Sequence, residues 1–483
     1  MQAEHTGAPA ILSRGDPGWD DARKAWNRAV DQQPAAIAVP HTAADVIAAV
    51  NYARRRGLRV AAQGTGHNAA PLGPLDDTLL VKTHAMRQVS IDPAARTARA
   101  EAGAVWADVV GPAAGYGLAG LTGSSPDVGV AGYTLGGGMG WLGRAYGLSA
   151  NNVEAFELVT ADGRFRCVDP VSEPDLFWAL RGGGGSFGVV TALELRLFPV
   201  ASVYAGLLWW PIDAAREVLP AWQELTASGL PDEFTTVFRF MRFPPVPDVP
   251  EPVRGRPFVV IDVIHLGSPA EADALLAPLR RLCPAADTVR TISMPALSHL
   301  HMDPAQPVAG AGNGLMLGSL PPPALDEITH LAGPGAESPL LAVELRHADG
   351  EMRRARPGNG ALAAIDAEYA LTAAGPAGAP SVTSATVAAV QTVMSAMAPW
   401  AAPQTYLNFT GASRGPASFW TPQAYDRLRR IKAAVDPGEL IRANHPVPPA
   451  DDSPAGQASA GDPMAAAWPA AGPATWRPLQ PAR

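Results

Sequence analysis

Apolar side chains recur every three or four residues at Val46, Ile47, Val50 and Ala53, between Thr42 and Gly57. That spacing predicts an amphipathic helix. Thr42 opens it with Asp45 three residues on, a capping box in which aspartate stands for the usual Glu or Gln, and Gly57 stops it. Residues 34–40, an apolar run between Pro34 and Pro40, read as an edge strand. Residues 58–62 form the next strand. Further strands are expected at 78–82 and 97–101, and a helix at 105–114. Alternation around an Ala161-Asp-Gly163 turn predicts a hairpin from 153–160 and 164–168. A short helix at 173–180 and a strong strand at 189–198 follow, and one short helix is expected near 19–30.

The pattern changes after about residue 202. Strands at 203–210, 234–242, 257–266 and 340–347 alternate with helices near 212–227, 269–281 and 381–398, without glycine-rich loops. A short strand at 405–409 and a helix at 425–435, stopped by Asp436-Pro437, complete the patterned part. The expected organisation is an N-terminal extension (1–33), a first α+β domain (34–202), a second domain (203–400), a segment returning to the first domain (401–447) and a disordered tail (448–483) too rich in Pro, Ala, Gly, Ser and Asp to bury a core.

Glycine distribution changes the picture. Ten of the 28 residues from Gly120 to Gly147 are glycine. Such a density argues against a regular helix or central strand, because glycine loses the most backbone entropy on folding. A second cluster runs from Arg181 to Gly188, and a third, Gln63-Gly-Thr-Gly-His-Asn68, leaves the strand at 58–62. Three such loops in the first 190 residues point to a large, elongated ligand touched mainly by backbone amides.

Composition mostly excludes. The 483 residues are 47% hydrophobic, enough for a sizeable core, and exceed what one core usually holds. A net charge of −8 with no long basic run argues against nucleic acid as a partner. Cys167 and Cys283 match no metal spacing and give no disulfide framework, so a reducing cytoplasm is the expected location and no metal is expected. The first residues lack a basic and an apolar region, so no signal peptide is expected, and no apolar run reaches the roughly 18–20 residues of a membrane span.

Gly138-Met-Gly140-Trp-Leu-Gly143 and Gly183-Gly-Gly185-Ser-Phe-Gly188 both match a dinucleotide fingerprint. That motif must leave a strand and open a long helix. Gly147 and two asparagines follow the first match and a β-branched run follows the second, so neither predicts a nicotinamide site.

Taken together, the motifs point elsewhere. Gly64-Thr-Gly-His67 is followed by Ser125-Pro-Asp-Val-Gly129 with the glycines to Gly140, by Arg144-Ala-Tyr-Gly-Leu148, by Val159-Thr-Ala-Asp-Gly163 and by Asp175-Leu-Phe-Trp-Ala-Leu-Arg-Gly182. Tyr406-Leu-Asn-Phe409 and Asp436-Pro-Gly-Glu-Leu-Ile-Arg-Ala-Asn444 close the series. This order resembles the berberine-bridge-enzyme-like flavin oxidases of the vanillyl-alcohol-oxidase and p-cresol-methylhydroxylase superfamily, over about residues 16–447. The resemblance implies an α+β fold: a two-part FAD-binding domain of the p-cresol-methylhydroxylase type, built from N- and C-terminal segments, with a central antiparallel-sheet substrate domain. It implies FAD contacts from Gln63, Gly64, Thr65, Gly66, His67, Asn68, Gly123, Ser124, Ser125, Val128, Gly129, Gly132, Gly137, Gly140, Leu142, Val189 and Asn444, and a small-molecule substrate with dioxygen as acceptor. Glycines let backbone approach such a ligand, and amides meet phosphates without a buried charge of their own.

By the same resemblance, His67 matches the histidine bonded to the flavin 8α carbon. Ser125 stands where doubly linked relatives carry a cysteine, so a single covalent link is expected. Val128 stands near the position that gates oxygen, and a valine there resembles oxidases. Tyr133 replaces a histidine found in some relatives. In alcohol-oxidising relatives the last tyrosine of a Tyr-x-Asn-Tyr pattern is the base, and here it is Phe409. Tyr406, Asn408 and Tyr133 remain as catalytic candidates, with Tyr369, His347 and His265 as further sources of a base. Strand alternation would set residues 406 and 408 on one face and 409 on the other. Trp209, Trp210, Phe238, Phe240, Met241 and Phe243 read as core, with a share left over to line a pocket for an aromatic or polyketide-like substrate. The missing tyrosine leaves a second reading open: a flavin-fold protein that catalyses a non-redox cyclisation or only binds a metabolite.

Overall fold

The computed structural model describes residues 10–411 and 415–451; residues 452–483 of the expected tail and 1–9 of the extension lie outside the described residues. Three sheets organise the chain. In the first, Ala36–Ala38, Thr78–Lys82 and Arg59–Gln63 run parallel, and Ile11–Ser13 adds antiparallel beside Ala36–Ala38. The strand expected at an edge therefore has partners on both sides. Its prolines permit this because Pro34 and Pro40 lie outside the three paired residues, where no ladder N–H is needed.

The helix Ala43–Arg56 starts as its sequence predicts. The Thr42 hydroxyl accepts from the Asp45 N–H, Asp45 accepts from the Thr42 N–H, and Gly57 closes the helix at φ 67°. Its buried face, Val46, Ala49, Val50 and Ala53, packs between the parallel sheet and Val159 and Val189 of a second sheet. That second sheet is antiparallel, in the order Val89–Asp92, Thr97–Glu101, Val189–Arg196, Val153–Val159, Phe165–Val168. The chain returns to the first sheet near its end, where Ile441 bridges Val60 in parallel; the Val60 N–H donates to the Leu440 carbonyl and the Arg442 N–H to the Val60 carbonyl, both at 2.8 Å.

The third sheet is antiparallel and larger. Its main path is Ala286–Asp287, Ser202–Pro211, Pro257–His265, Phe234–Arg242, Ala342–His347, Tyr369–Pro376, Gly310–Leu317, with Arg290–Ser293 also paired to Ser202–Pro211. One face carries Trp210, Phe238, Phe240, Ile261, Leu345 and Leu371 into a core shared with the helices Ala215–Ala227, Pro269–Arg280, Pro322–Ala332 and Pro380–Met397. Alternation puts Arg239, Asp262, Glu344 and Arg346 on the other face. The segment Pro380–Trp400 is 21 residues long and apolar enough to resemble a membrane span, contrary to the reading of apolar runs above. Here its helix buries Val390, Val393, Met394 and Met397 against this sheet.

Local structure departs from expectation in three places. The helix expected near 19–30 is a single turn, Trp19–Ala22. Within the glycine stretch a short helix, Val130–Leu135, forms despite the glycine density, flanked by Gly129 and Gly136. Residues 405–409 are not a strand: Leu407–Phe409 is a 3-10 turn, which cancels the alternation argument for their side chains.

Candidate active site

One cavity gathers both ends of the chain. Its wall comes from residues 62–69 after the first-sheet strand, from 123–125, 128–129, 131–133, 135–136 and 139 of the glycine stretch, from Gly184, Gly185, Gly188 and Val190, from Arg346 of the large sheet, and from 406–409 and 442–444. Gln63, Gly64, Thr65, Gly66, His67, Asn68, Gly123, Ser124, Ser125, Val128, Gly129, Gly132, Tyr133, Tyr406, Asn408, Phe409 and Asn444 all line it.

Gly137, Gly140, Leu142 and Val189 do not. Leu142 is buried in the core behind the cavity, and Val189 packs on the helix Ala43–Arg56. A Cβ at Gly140 would collide with the Thr122 carbonyl, and Gly137 sits at φ 111° against Leu362 and Tyr406, so both glycines serve packing. Gly136, Met139, Gly188 and Val190 take the wall positions instead.

His67 is held on three sides. The Thr65 hydroxyl lies 2.8 Å from Nδ1, the Trp26 ring stacks at 4.1 Å between centroids, and Asp127 approaches Nε2 at 3.5 Å. Asp127 is fixed in turn by the Trp26 indole N–H at 2.5 Å and the Ser125 hydroxyl at 2.6 Å. Partial burial alone would raise the Asp127 carboxyl; His67, Ser125 and Trp26 outweigh it and pull it down to about 2.

The 3-10 turn brings Tyr406, Asn408 and Phe409 to the same wall. The Tyr406 oxygen accepts from the Met139 backbone N–H at 2.7 Å and from Asn408 Nδ2 at 3.2 Å, and Asn408 also donates to the Tyr133 carbonyl at 2.9 Å. Burial pushes the Tyr406 phenol up to about 12. Burial and then Tyr406 raise Tyr133 well above its usual value, and its hydroxyl donates to the Leu121 carbonyl at 3.0 Å.

The other proposed bases lie elsewhere. Tyr369 meets Thr226 under the helices of the large sheet, His347 packs beside Tyr369 and Arg144, and His265 packs beside Phe234. Trp209, Met241 and Phe243 form a small separate cluster, while Trp210, Phe238 and Phe240 belong to the main core; none lines the cavity.

Behind Arg346 lies a buried set of charges. Asp262 holds Arg239 at 2.6 Å and His301 Nδ1 at 2.5 Å; His301 Nε2 meets Glu344 at 3.1 Å, and Arg346 donates to Glu344 at 3.2 Å. Burial and Arg239 would lower His301, but Glu344, Asp262 and Asp303 outweigh them and raise it above its usual value. Burial would raise Glu344, and His301 and Arg346 hold it well below the carboxylate range. The Arg346 guanidinium lies 5.6 Å from the Phe409 ring centre and 5.7 Å from that of Trp141. Sequence reasoning missed Trp26, Asp127, Arg346 and this network, although a charge set within an apolar strand, as in Phe238-Arg239-Phe240 or Ile261-Asp262-Val263, is a legible signal. Among the described residues no group of three or more His, Cys, Asp or Glu side chains is placed to hold a metal.

The cavity fits FAD. Both polar atoms of the Gln63 side chain are buried without a hydrogen-bond partner, and Gln63 lines the cavity. A Cβ at Gly132 would meet nothing within 4 Å, and one at Gly184 or Gly185 would meet nothing closer than 3.6 Å, so backbone faces open space where a ligand can press against it.

Comparison with known proteins agrees. Residues 34–168 match an FAD binding domain and residues 405–448 the berberine and berberine-like family. (R)-6-hydroxynicotine oxidase of Paenarthrobacter nicotinovorans is 36% identical over 201 residues, covering 41% of this chain and 44% of that protein. Glucooligosaccharide oxidase of Sarocladium strictum is 33% identical over 224 residues, 45% of each chain. These alignments span less than half the length of the curated relatives. The crystal structure of 6-hydroxy-D-nicotine oxidase from Arthrobacter nicotinovorans superposes with a TM-score of 0.78 at 26% identity, over 92% of this chain and 99% of that one. The BBE-like 1 protein of Physcomitrella patens shares the fold, with a TM-score of 0.80 at 20% identity over 92% and 97%. An FAD binding domain and a berberine-like closing segment thus fold around one cavity, and the chain is similar to FAD-linked oxidoreductases of the berberine-bridge-enzyme-like kind.

Proposed function

We propose that the protein is an FAD-dependent oxidase of a small metabolite, acting in the cytoplasm, with its flavin attached through His67 alone. The observation that carries this reading is the cavity wall, in which glycine loops from residues 63–68, 123–132 and 184–188 meet the C-terminal segment 442–444. Bound FAD would supply the hydride acceptor at its N5 position, with dioxygen as the final oxidant.

The chain's own residues then divide the work. The loops at 63–68 and 123–132, with Asn444, hold the cofactor largely by backbone. Thr65, Trp26 and Asp127 fix the ring of His67. Ser125, unable to form a thioether, donates to Asp127 instead. Val128 presents a small branched side chain on the wall, which suits oxygen access. Tyr406 and Asn408 brace the glycine stretch through Met139 and Tyr133, and with Phe409 they shape the wall on the side of Arg346. The names of two relatives assign them a hydroxynicotine and a glucooligosaccharide, so substrates differ widely on this fold.

Acid-precipitated protein stays yellow if His67 carries the flavin, and a colourless precipitate refutes the link. Stopped-flow mixing of dithionite-reduced protein with air tests the oxidase reading. Fast reoxidation supports it, and slow reoxidation favours a dehydrogenase or a non-redox role.

A further inference from the structure

We infer that Asp127 is the positioning residue that prepares His67 to bond with the flavin: it holds the imidazole proton on Nε2, which leaves Nδ1 to form the covalent link, and stabilises the positive charge that develops on the ring. This rests on the reading that His67 is the attachment site.

The geometry separates the two ring nitrogens. Nδ1 meets the hydroxyl of Thr65, which lines the cavity; Nε2 points towards Asp127, which does not. A carboxylate beside Nε2 fixes the tautomer with hydrogen there, leaving the Nδ1 lone pair on the cavity side, where only the mobile Thr65 hydroxyl caps it. The Nε2 atom is buried and has no hydrogen-bond partner; the 3.5 Å approach of Asp127 Oδ1 is long for a hydrogen bond, and a small ring movement closes it. Trp26 limits that movement by stacking on the ring while its indole N–H fixes the other Asp127 oxygen. Among the described residues, the titratable group facing Asp127 is His67; its other partners, Trp26 and Ser125, are neutral donors that keep the carboxylate ionised.

The step balances as follows. A bond forms between Nδ1 and the flavin 8α carbon, and one 8α C–H bond breaks. Two protons leave, one from that carbon and one from Nε2, both to solvent. The electron pair of the broken C–H bond passes to the flavin ring, and dioxygen removes it as hydrogen peroxide. Asp127 acts through His67, by orienting the ring and stabilising its developing charge.

The test is reconstitution of flavin-free full-length protein with FAD, following two quantities over time: flavin bound after gel filtration and flavin retained after acid precipitation. Asp127→Asn should bind FAD but attach it on the order of 10²-fold more slowly, the scale on which a positioned side chain contributes to such a step. Asp127→Ala should be rescued several-fold by added formate, a response that a purely structural role would not give. Should the asparagine variant fail to fold, Asp127→Glu serves, with attachment expected between wild type and Asp127→Ala. Attachment at the wild-type rate in the neutral variants overturns the inference while leaving His67 as the link. If wild type itself releases all its flavin in acid, the attachment reading fails, and this inference fails with it.

Discussion

The carboxylate of Asp262 lies 2.6 Å from the guanidinium of Arg239, and both side chains are at most 1% exposed. They sit on neighbouring strands of the large sheet, on the face opposite the helices. At this depth the attraction mainly offsets the cost of stripping water from two ions, so the intact pair adds little net stability, while breaking it is expensive. Asp262→Asn is expected to destabilise the protein by about 3–5 kcal/mol, because it leaves Arg239 and the Nδ1 of His301 without their carboxylate. The double variant Arg239→Met with Asp262→Leu should lose clearly less. Urea unfolding of the three proteins checks this; equal losses would show that the pair is not the unit.

His347 gives the protein an acid sensitivity of its own. Burial first, and then Arg144, push its imidazole down to about 3, so the folded protein keeps it neutral. The unfolded chain protonates it near its ordinary value of about 6.5. Between those values the unfolded state binds the proton and the folded state does not, so stability is full above about pH 6.5 and falls as the pH drops towards 3. His347→Leu should remove this component, about 2–3 kcal/mol of the acid loss by pH 4.5 at 1.36 kcal/mol per pH unit. Chemical denaturation of wild type and variant at pH 7 and 4.5 measures it. Parallel losses in the two proteins would assign the acid sensitivity to other groups.

Gly136 and Asn408 depend on each other. A Cβ at position 136 would collide with the Asn408 amide, which donates to Tyr133 and Tyr406 across the cavity wall. Gly136→Ala should expel that amide, break both bonds and lower flavin content along with thermal stability. In Asn408→Ala the space is open, so adding Gly136→Ala should cost little more. The expected coupling is about 0.5–3 kcal/mol, the range for residues in direct contact. Additive losses would mean that Gly136 is needed for its backbone conformation alone.

Much of this was legible where sequence and local structure act together. The Thr42–Asp45 capping box, the strands Thr78–Lys82 and Thr97–Glu101, and the cavity loops at 63–68 and 123–132 follow from residues a few positions apart. Other features depend on partners distant in the chain. The strand Gly310–Leu317 opens Gly-Ala-Gly-Asn-Gly, with no β-formers, and exists because Tyr369–Pro376 and the helix Pro380–Met397 cover it. Tyr406 and Phe409 were set on opposite faces by strand alternation, but the 3-10 turn puts both in the cavity. Trp26 lies outside every motif and reaches His67 only because the Trp26 N–H docks on the Thr65 carbonyl. Asp127 stood inside a quoted motif, yet only the fold brings it to His67.

The phenol of Tyr406 supports a last prediction. Its oxygen accepts the Met139 N–H at 2.7 Å, joining the C-terminal segment to the glycine stretch. Held at about 12 by burial, it stays protonated across the working range and acts as a brace. Tyr406→Phe leaves the buried Met139 N–H without this acceptor and is expected to cost about 1–3 kcal/mol of stability. The same change should not remove an ionisation from the pH dependence of flavin reduction between pH 6 and 10, because no phenolate forms there. Thermal unfolding reads the first effect, and stopped-flow reduction with any turnover substrate reads the second. Should Tyr406→Phe abolish an alkaline rise in that rate while leaving stability intact, the phenol would be the base after all, and its burial would have to be relieved when substrate binds.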